Sequence, residues 1–185
     1  MAAPTTTEAE GGEGGGGGVT TADDVFGPAC GQLPQGDAEG GLAAMGPQPV
    51  ATAASTNPLL TKLTAAVGAV PGLADTLNTA EALTVFAPAD AAFDALGDAE
   101  FAALAADPDT LAPILQLHVV GERHDAEALE AAGTVTSVNA TAPPLKIEGS
   151  GESMTVNGAK VLCGNIPTAN ATVFVIDTVM TPPAA

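Results

Sequence analysis

Tryptophan and tyrosine are absent from this 185-residue chain, five phenylalanines are its only aromatics, and four Lys and Arg residues stand against 22 Asp and Glu. The first lack dictates a core of Ala, Val, Leu and Ile, closely packed, and speaks against stacking of bases or sugars. The second leaves a formal charge of −18 and excludes nucleic acid as a partner, because affinity for a phosphate backbone comes from clustered cations. Lys62, Arg123, Lys146 and Lys160 are dispersed along the chain instead. Anionic membrane surfaces are disfavoured for the same reason. The acidic surface suits either a soluble monomer held apart by self-repulsion or cation-rich surroundings.

No stretch reaches the run of about 18 apolar residues that spans a bilayer, so no direct membrane insertion is expected. The N-terminus also lacks the basic and apolar regions of a signal peptide. Since an exported protein needs an address, Met1 is expected to replace a removed signal sequence.

Histidine is scarce too, with only His118 and His124, and neither has a thiol nearby from which a closed zinc site is built. No metal site and no catalytic residue is expected. Asp94, Asp98 and Glu100 read as a solvated helix face rather than a calcium site. The stretch Gly149-Ser150-Gly151-Glu152-Ser153 lacks the spacing of a serine-hydrolase elbow and falls in a predicted hairpin. The glycines between Gly11 and Gly18 have no Lys-Ser/Thr after them and do not follow a strand, so they form no phosphate cradle. Asn139 and Asn170 match the glycosylation acceptor pattern, which in so Ala- and Thr-rich a chain reads as chance.

The two cysteines, Cys30 and Cys163, resemble neither a zinc motif nor a redox pair. The leading reading is a disulfide, which implies an oxidising compartment; two buried free thiols are the alternative.

Along the chain, residues 1–24 carry five acids, no base and a block of seven glycines. They read as a flexible acidic tail. Residues 25–48, rich in Gly and Pro, read as an irregular arm pinned by the disulfide. Residues 49–185 form the domain. An Ala-rich piece at 49–55 is followed by Leu59, Leu60, Leu63, Ala66 and Val67 at helical spacing, with a further turn at 73–77. Leu83 to Ala87 is a strand that Pro88 stops. Helices then follow over 90–96, 98–106 and 109–118, each opening with an acid, and over 125–132. The pattern next switches to period two, with strands at 134–138, 145–147, 154–156, 159–162 and 172–176, and a hairpin at Asn157-Gly158. Helices crowd the first half and strands the second, which predicts an α+β domain.

Three of these segments resemble the signature blocks of the fasciclin domain. They are Leu83 to Phe93, with Phe86, Pro88, Asp90 and Phe93; Leu115 to Val120, with His118; and Ala171 to Pro182, with Phe174. The cysteine pair and the stretch Pro49 to Pro58 are similar to the small secreted and lipid-anchored fasciclin proteins of mycobacteria and related actinobacteria. The family's Tyr before the His, a receptor-binding residue in some animal members, is Leu117 here, and Ala89 stands where many members carry Thr. The resemblance implies a wedge-shaped β-sandwich flanked by several short helices, with no catalysis and no obligatory cofactor. It implies a bacterial secreted or surface-anchored module for adhesion or binding, whose partner is an unidentified protein or glycan at a cell surface. A carrier of a small hydrophobic ligand or haem is the alternative, and exposure of Met154, Met180 or Phe26 around one cleft would favour it. The lack of Tyr and the scarcity of His speak against haem. His118, on the face of Leu111, Ile114 and Leu115, is expected to be buried with Asp90 as its partner, and Asp90 is expected to cap its own helix.

Overall fold

The computed structural model describes residues 20–34 and 38–181; the expected tail falls outside these except for its last five residues. The first of those residues is packed against the domain, while Thr21, Asp23 and Asp24 are exposed. Thr20 is buried and its hydroxyl donates to Asn165 O at 2.8 Å, so the ordered arm starts earlier than residue 25. Phe26 and Gly164 exchange backbone hydrogen bonds at 3.3 and 2.8 Å, and Ala29 N donates to Leu162 O at 3.0 Å. Gly164 is required there, because a Cβ would stand 2.5 Å from the Phe26 ring.

Four short helices follow: α1 Leu42–Met45, α2 Val50–Thr56, α3 Thr61–Ala69 and α4 Leu73–Thr79. Strand β1 Leu83–Pro88 leads into α5 Asp90–Leu96, α6 Asp98–Ala105 and α7 Pro108–Leu117. The chain continues through β2 Val119–Val120, α8 Ala126–Ala132, β3 Thr134–Val135, β4 Leu145–Glu148, β5 Thr155–Val156, β6 Ala159–Pro167 and β7 Ala171–Ile176. Asp107 and Asp125 accept from Thr110 N and Ala128 N as N-caps of α7 and α8.

The strands are ordered β2-β1-β7-β6-β5-β4-β3, with β1 and β7 parallel and the other neighbours antiparallel. Strands β1 and β7 are buried throughout, and they serve two cores. Val85, Ala87, Val173 and Val175 face the helices α2 to α7. Phe86, Phe174 and Ile176 face the opposite way, into a core shared with Leu145 and Ile147 of β4, Val156 of β5 and Leu129 of α8. The β3–β5 end of the sheet therefore folds over the second face of its own centre, and this makes the α+β sandwich. Asn157 and Gly158, with φ of 54° and 90°, turn β5 into β6.

Several elements differ from the sequence expectation: helix α1 forms inside the arm expected to be irregular, and the two-residue β2 follows α7 where no strand was expected. Strand β3 is two residues long, and beyond it only Ser137 bridges to Val120. Strand β6 runs on to Pro167, with its register shifting between Val161 and Cys163 and between Cys163 and Ile166. The shift is built on Asn165, whose φ of 59° is a conformation that Asn tolerates.

Candidate functional site

His118 follows α7 directly and is 2% exposed. Its Nδ1 lies 2.7 Å from Ile114 O and donates to it, while Nε2 accepts from Met180 N at 2.9 Å. This fixes the neutral tautomer with the proton on Nδ1. Burial lowers its pKa from 6.5 to about 4. The backbone carbonyl of the same residue accepts from Phe86 N at 2.8 Å, so one residue joins α7, β1 and the segment after β7.

Asp90 takes no part in that arrangement, contrary to expectation. Its carboxylate accepts from Lys62 N at 2.7 Å and from the Thr61 hydroxyl, and its backbone N donates to Leu59 O at 2.8 Å. It caps α3, a different helix from its own: the residue at the N-cap of α5 is Ala89, which has no capping side chain. The sequence placed Asp90 at a helix start but held no sign of which start. Lys62, on the same turn, forms ion pairs with Asp94 and with Asp98, the latter at 2.8 Å. Its ammonium holds the Asp98 carboxyl below the usual range.

The aromatic residues of the matched segments are likewise internal. Phe86 and Phe174 are cross-strand neighbours with ring centroids 5.7 Å apart, and Phe93 meets Phe101 edge-on at 5.0 Å. Leu117, in the place of the family's Tyr, is buried in the second core. Pro88 closes β1 opposite Ile176. Cys30 and Cys163 are joined by a disulfide, their Cα atoms 5.0 Å apart, which fastens the arm to β6.

Asn139 and Asn170 are buried with their amides engaged: Asn139 donates to Pro113 O at 2.9 Å, and Asn170 accepts from Val50 N while donating to Leu77 O and Ala80 O. Neither is presented as a glycosylation acceptor. Residues Gly151–Ser153 form an exposed 3-10 turn in which the Ser153 hydroxyl donates to Ser150 O. Among the described residues, no group of three His, Cys, Asp or Glu is arranged to hold a metal ion, and no helix is long and apolar enough to cross a membrane.

What the sequence did not single out is a cavity of about 270 Å³ between helices α2, α3 and α4 and the β1–α7 layer. Val50, Leu63, Val67, Leu77, Val85 and the face of His118 line it. Met154 and Met180 belong to the second core, and neither they nor Phe26 reach this cavity. Among the described residues, no charged side chain lines it. Two of its three hydroxyls bond back to their own helices: Ser55 donates to Thr52 O at 2.6 Å, and Thr64 to Leu60 O at 2.9 Å. The wall presented to a ligand is therefore mainly aliphatic, with Thr52 and Asn78 among its polar members.

This chain belongs to the fasciclin-domain family: the family model matches residues 58–182. It is 39% identical to the cell surface glycolipoprotein MPB83 of Mycobacterium bovis, across 99% of this chain and 80% of that protein. It is 39% identical to the immunogenic protein MPB70 of the same species, across 88% of this chain and 85% of that protein. A rabbit relative, the transforming growth factor-beta-induced protein ig-h3, is 36% identical over 60% of this chain, which spans 16% of that larger protein. In fold it is similar to the FAS1 domain pair of the insect cell adhesion molecule fasciclin I, with a TM-score of 0.54 at 17% identity. That match covers 68% of this chain and 45% of the pair.

Proposed function

We propose that this chain is a non-enzymatic binding or adhesion module displayed outside the cell, either secreted or held at a bacterial surface. The observation that carries this reading is how the family's matched residues are spent. His118 has both ring nitrogens engaged and a pKa lowered to about 4, so near neutral pH it is neither a free base nor a free ligand. Asp90 caps a helix, and the phenylalanines fill cores. A cell-surface place is supported by likeness to a cell surface glycolipoprotein over nearly the whole chain, and by a disulfide that persists in oxidising surroundings.

The expected partner is a protein or glycan on a cell. Beads coated with the chain should bind intact bacterial or animal cells better than beads coated with an acidic control protein. Treating the cells with protease or periodate separates a protein partner from a glycan. Equal binding of both kinds of bead would remove the proposal.

A second reading, carriage of a small hydrophobic ligand, is favoured by the uncharged cavity between α2, α3 and α4. Haem is not the ligand it favours, because the only imidazole on its wall has both nitrogens in use.

A further inference from the structure

On the other side of α4 lies a second cavity, of about 310 Å³, lined by Val70, Leu73, Leu77, Leu83, Val119 and Val138 among others. Leu77 and Val119 line both cavities, so two aliphatic side chains form the partition between them. Each cavity alone lies near the lower bound of about 300 Å³ for small-molecule sites, whereas the two joined fall well inside the range that extends to about 1,000 Å³. We propose that the two are one channel beneath α4, occupied by a single elongated, uncharged aliphatic chain, such as a long acyl ester, that passes between Leu77 and Val119. The proposal rests on the second reading above and adds the shape and charge of the ligand.

Three observations point to this occupant. First, among the described residues neither cavity has a charged lining residue, in a chain of net charge −18; the apolar walls favour methylene groups, while the acidic surface repels a free carboxylate. Second, Val138, at 48%, is the one large hydrophobic residue exposed among the described residues, and it stands at the second cavity. An apolar residue held in water at a cavity edge marks a mouth. Third, α4 is held unevenly. At its C-terminal end, Asn170 donates to Leu77 O at 2.7 Å and to Ala80 O at 2.8 Å, and Ala51 N donates to the Asn78 side chain at 3.0 Å. Its N-terminal end follows the short link Val70, Pro71 and Gly72, where Gly72 has a φ of 80° at the N-cap. Leu77 sits on the anchored end of this seven-residue helix, so its backbone is fixed and passage between Leu77 and Val119 takes a turn of the two side chains alone.

The test is equilibrium binding of methyl cis-parinarate, a long linear ester whose fluorescence rises in apolar surroundings, to the whole chain. Free cis-parinaric acid at pH 8 and the short ester methyl octanoate serve as comparisons. The long ester should bind at least about tenfold more tightly than either comparison. Ser55→Trp, at the exposed edge of the first cavity, and Val138→Glu, at the mouth of the second, should each weaken it about tenfold while leaving the melting temperature unchanged. If the short ester binds as well as the long one, or only Ser55→Trp has an effect, the channel is overturned and a single-cavity carrier stands. Binding of the free acid as tight as that of the ester overturns the uncharged ligand. If none of the three binds, the channel and the carrier reading fall together.

Discussion

His118 Nε2 accepts the backbone N–H of Met180 at 2.9 Å, tying the end of α7 to the segment that follows the last strand. An imidazolium has no lone pair on that nitrogen, so protonation breaks the bond and leaves a charge in the core.

The folded pKa of about 4 lies below the ordinary 6.5, so between those values the unfolded chain binds more protons than the folded one. Stability from this residue is complete above pH 6.5 and is lost as pH falls toward 4, by up to about 3 kcal/mol. His118→Gln should flatten the stability curve in that window relative to the parent chain. Parallel curves would sink the idea. His118→Ala should destabilise by about 1–3 kcal/mol at neutral pH through the stranded Met180 N–H.

Asp90→Ala should cost about 1 kcal/mol through the lost cap of α3, with Asp90→Asn costing less because an acceptor remains. The His118 titration, followed by NMR, should be the same in both variants. A shifted titration would mean that the carboxylate reaches the imidazole after all.

Reducing the Cys30–Cys163 bond should lower stability by up to about 4–5 kcal/mol in the chain-entropy description of so long a loop. Cys163 is fully buried, so reductant should act on the folded protein slowly and faster as denaturant is added. Rapid alkylation of both thiols under native, non-reducing conditions would rule the bond out.

Asn165 links three parts of the fold: its Oδ1 accepts from Ala126 N at 2.8 Å, its Nδ2 donates to Asp24 O at 3.2 Å, and its carbonyl accepts from the Thr20 hydroxyl. Asn165→Ala loses the side-chain bonds and is strained at a positive φ, for a cost of about 2–3 kcal/mol. Asn165→Gly, free of that strain, should be milder by about 1 kcal/mol. Equal melting temperatures for the two variants would show that the backbone is relaxed there.

The helices from α2 onward were legible because spacing and punctuation agree. Asp90–Leu96 begins after Pro88 and ends at Gly97, and the sequence carries both signals. Strand β1, with its alternation and its terminal proline, was equally plain. The extension of β6 was hidden because Gly164-Asn165 reads as a turn, and only the pairing with β7 and the arm turns it into a bulge. The partners of His118 were hidden for a related reason. Sequence shows which face a residue occupies, but a backbone N–H offered by Met180, 62 positions away, has no sequence signature. The cavities are spaces on either side of α4, and no residue type announces a space.

The parallel pairing of β1 with β7 also sets the order in which this molecule is completed. The strand that joins the two parts of the sheet is the last one in the sequence, and both of its neighbours, β1 and β6, are earlier. Until Ala171–Ile176 is available, the two halves of the sheet are unjoined, each with an apolar edge that nothing covers. Such a chain gains its long-range contacts late and together, so any fragment ending before residue 171 should be prone to aggregate rather than to form a smaller version of the domain.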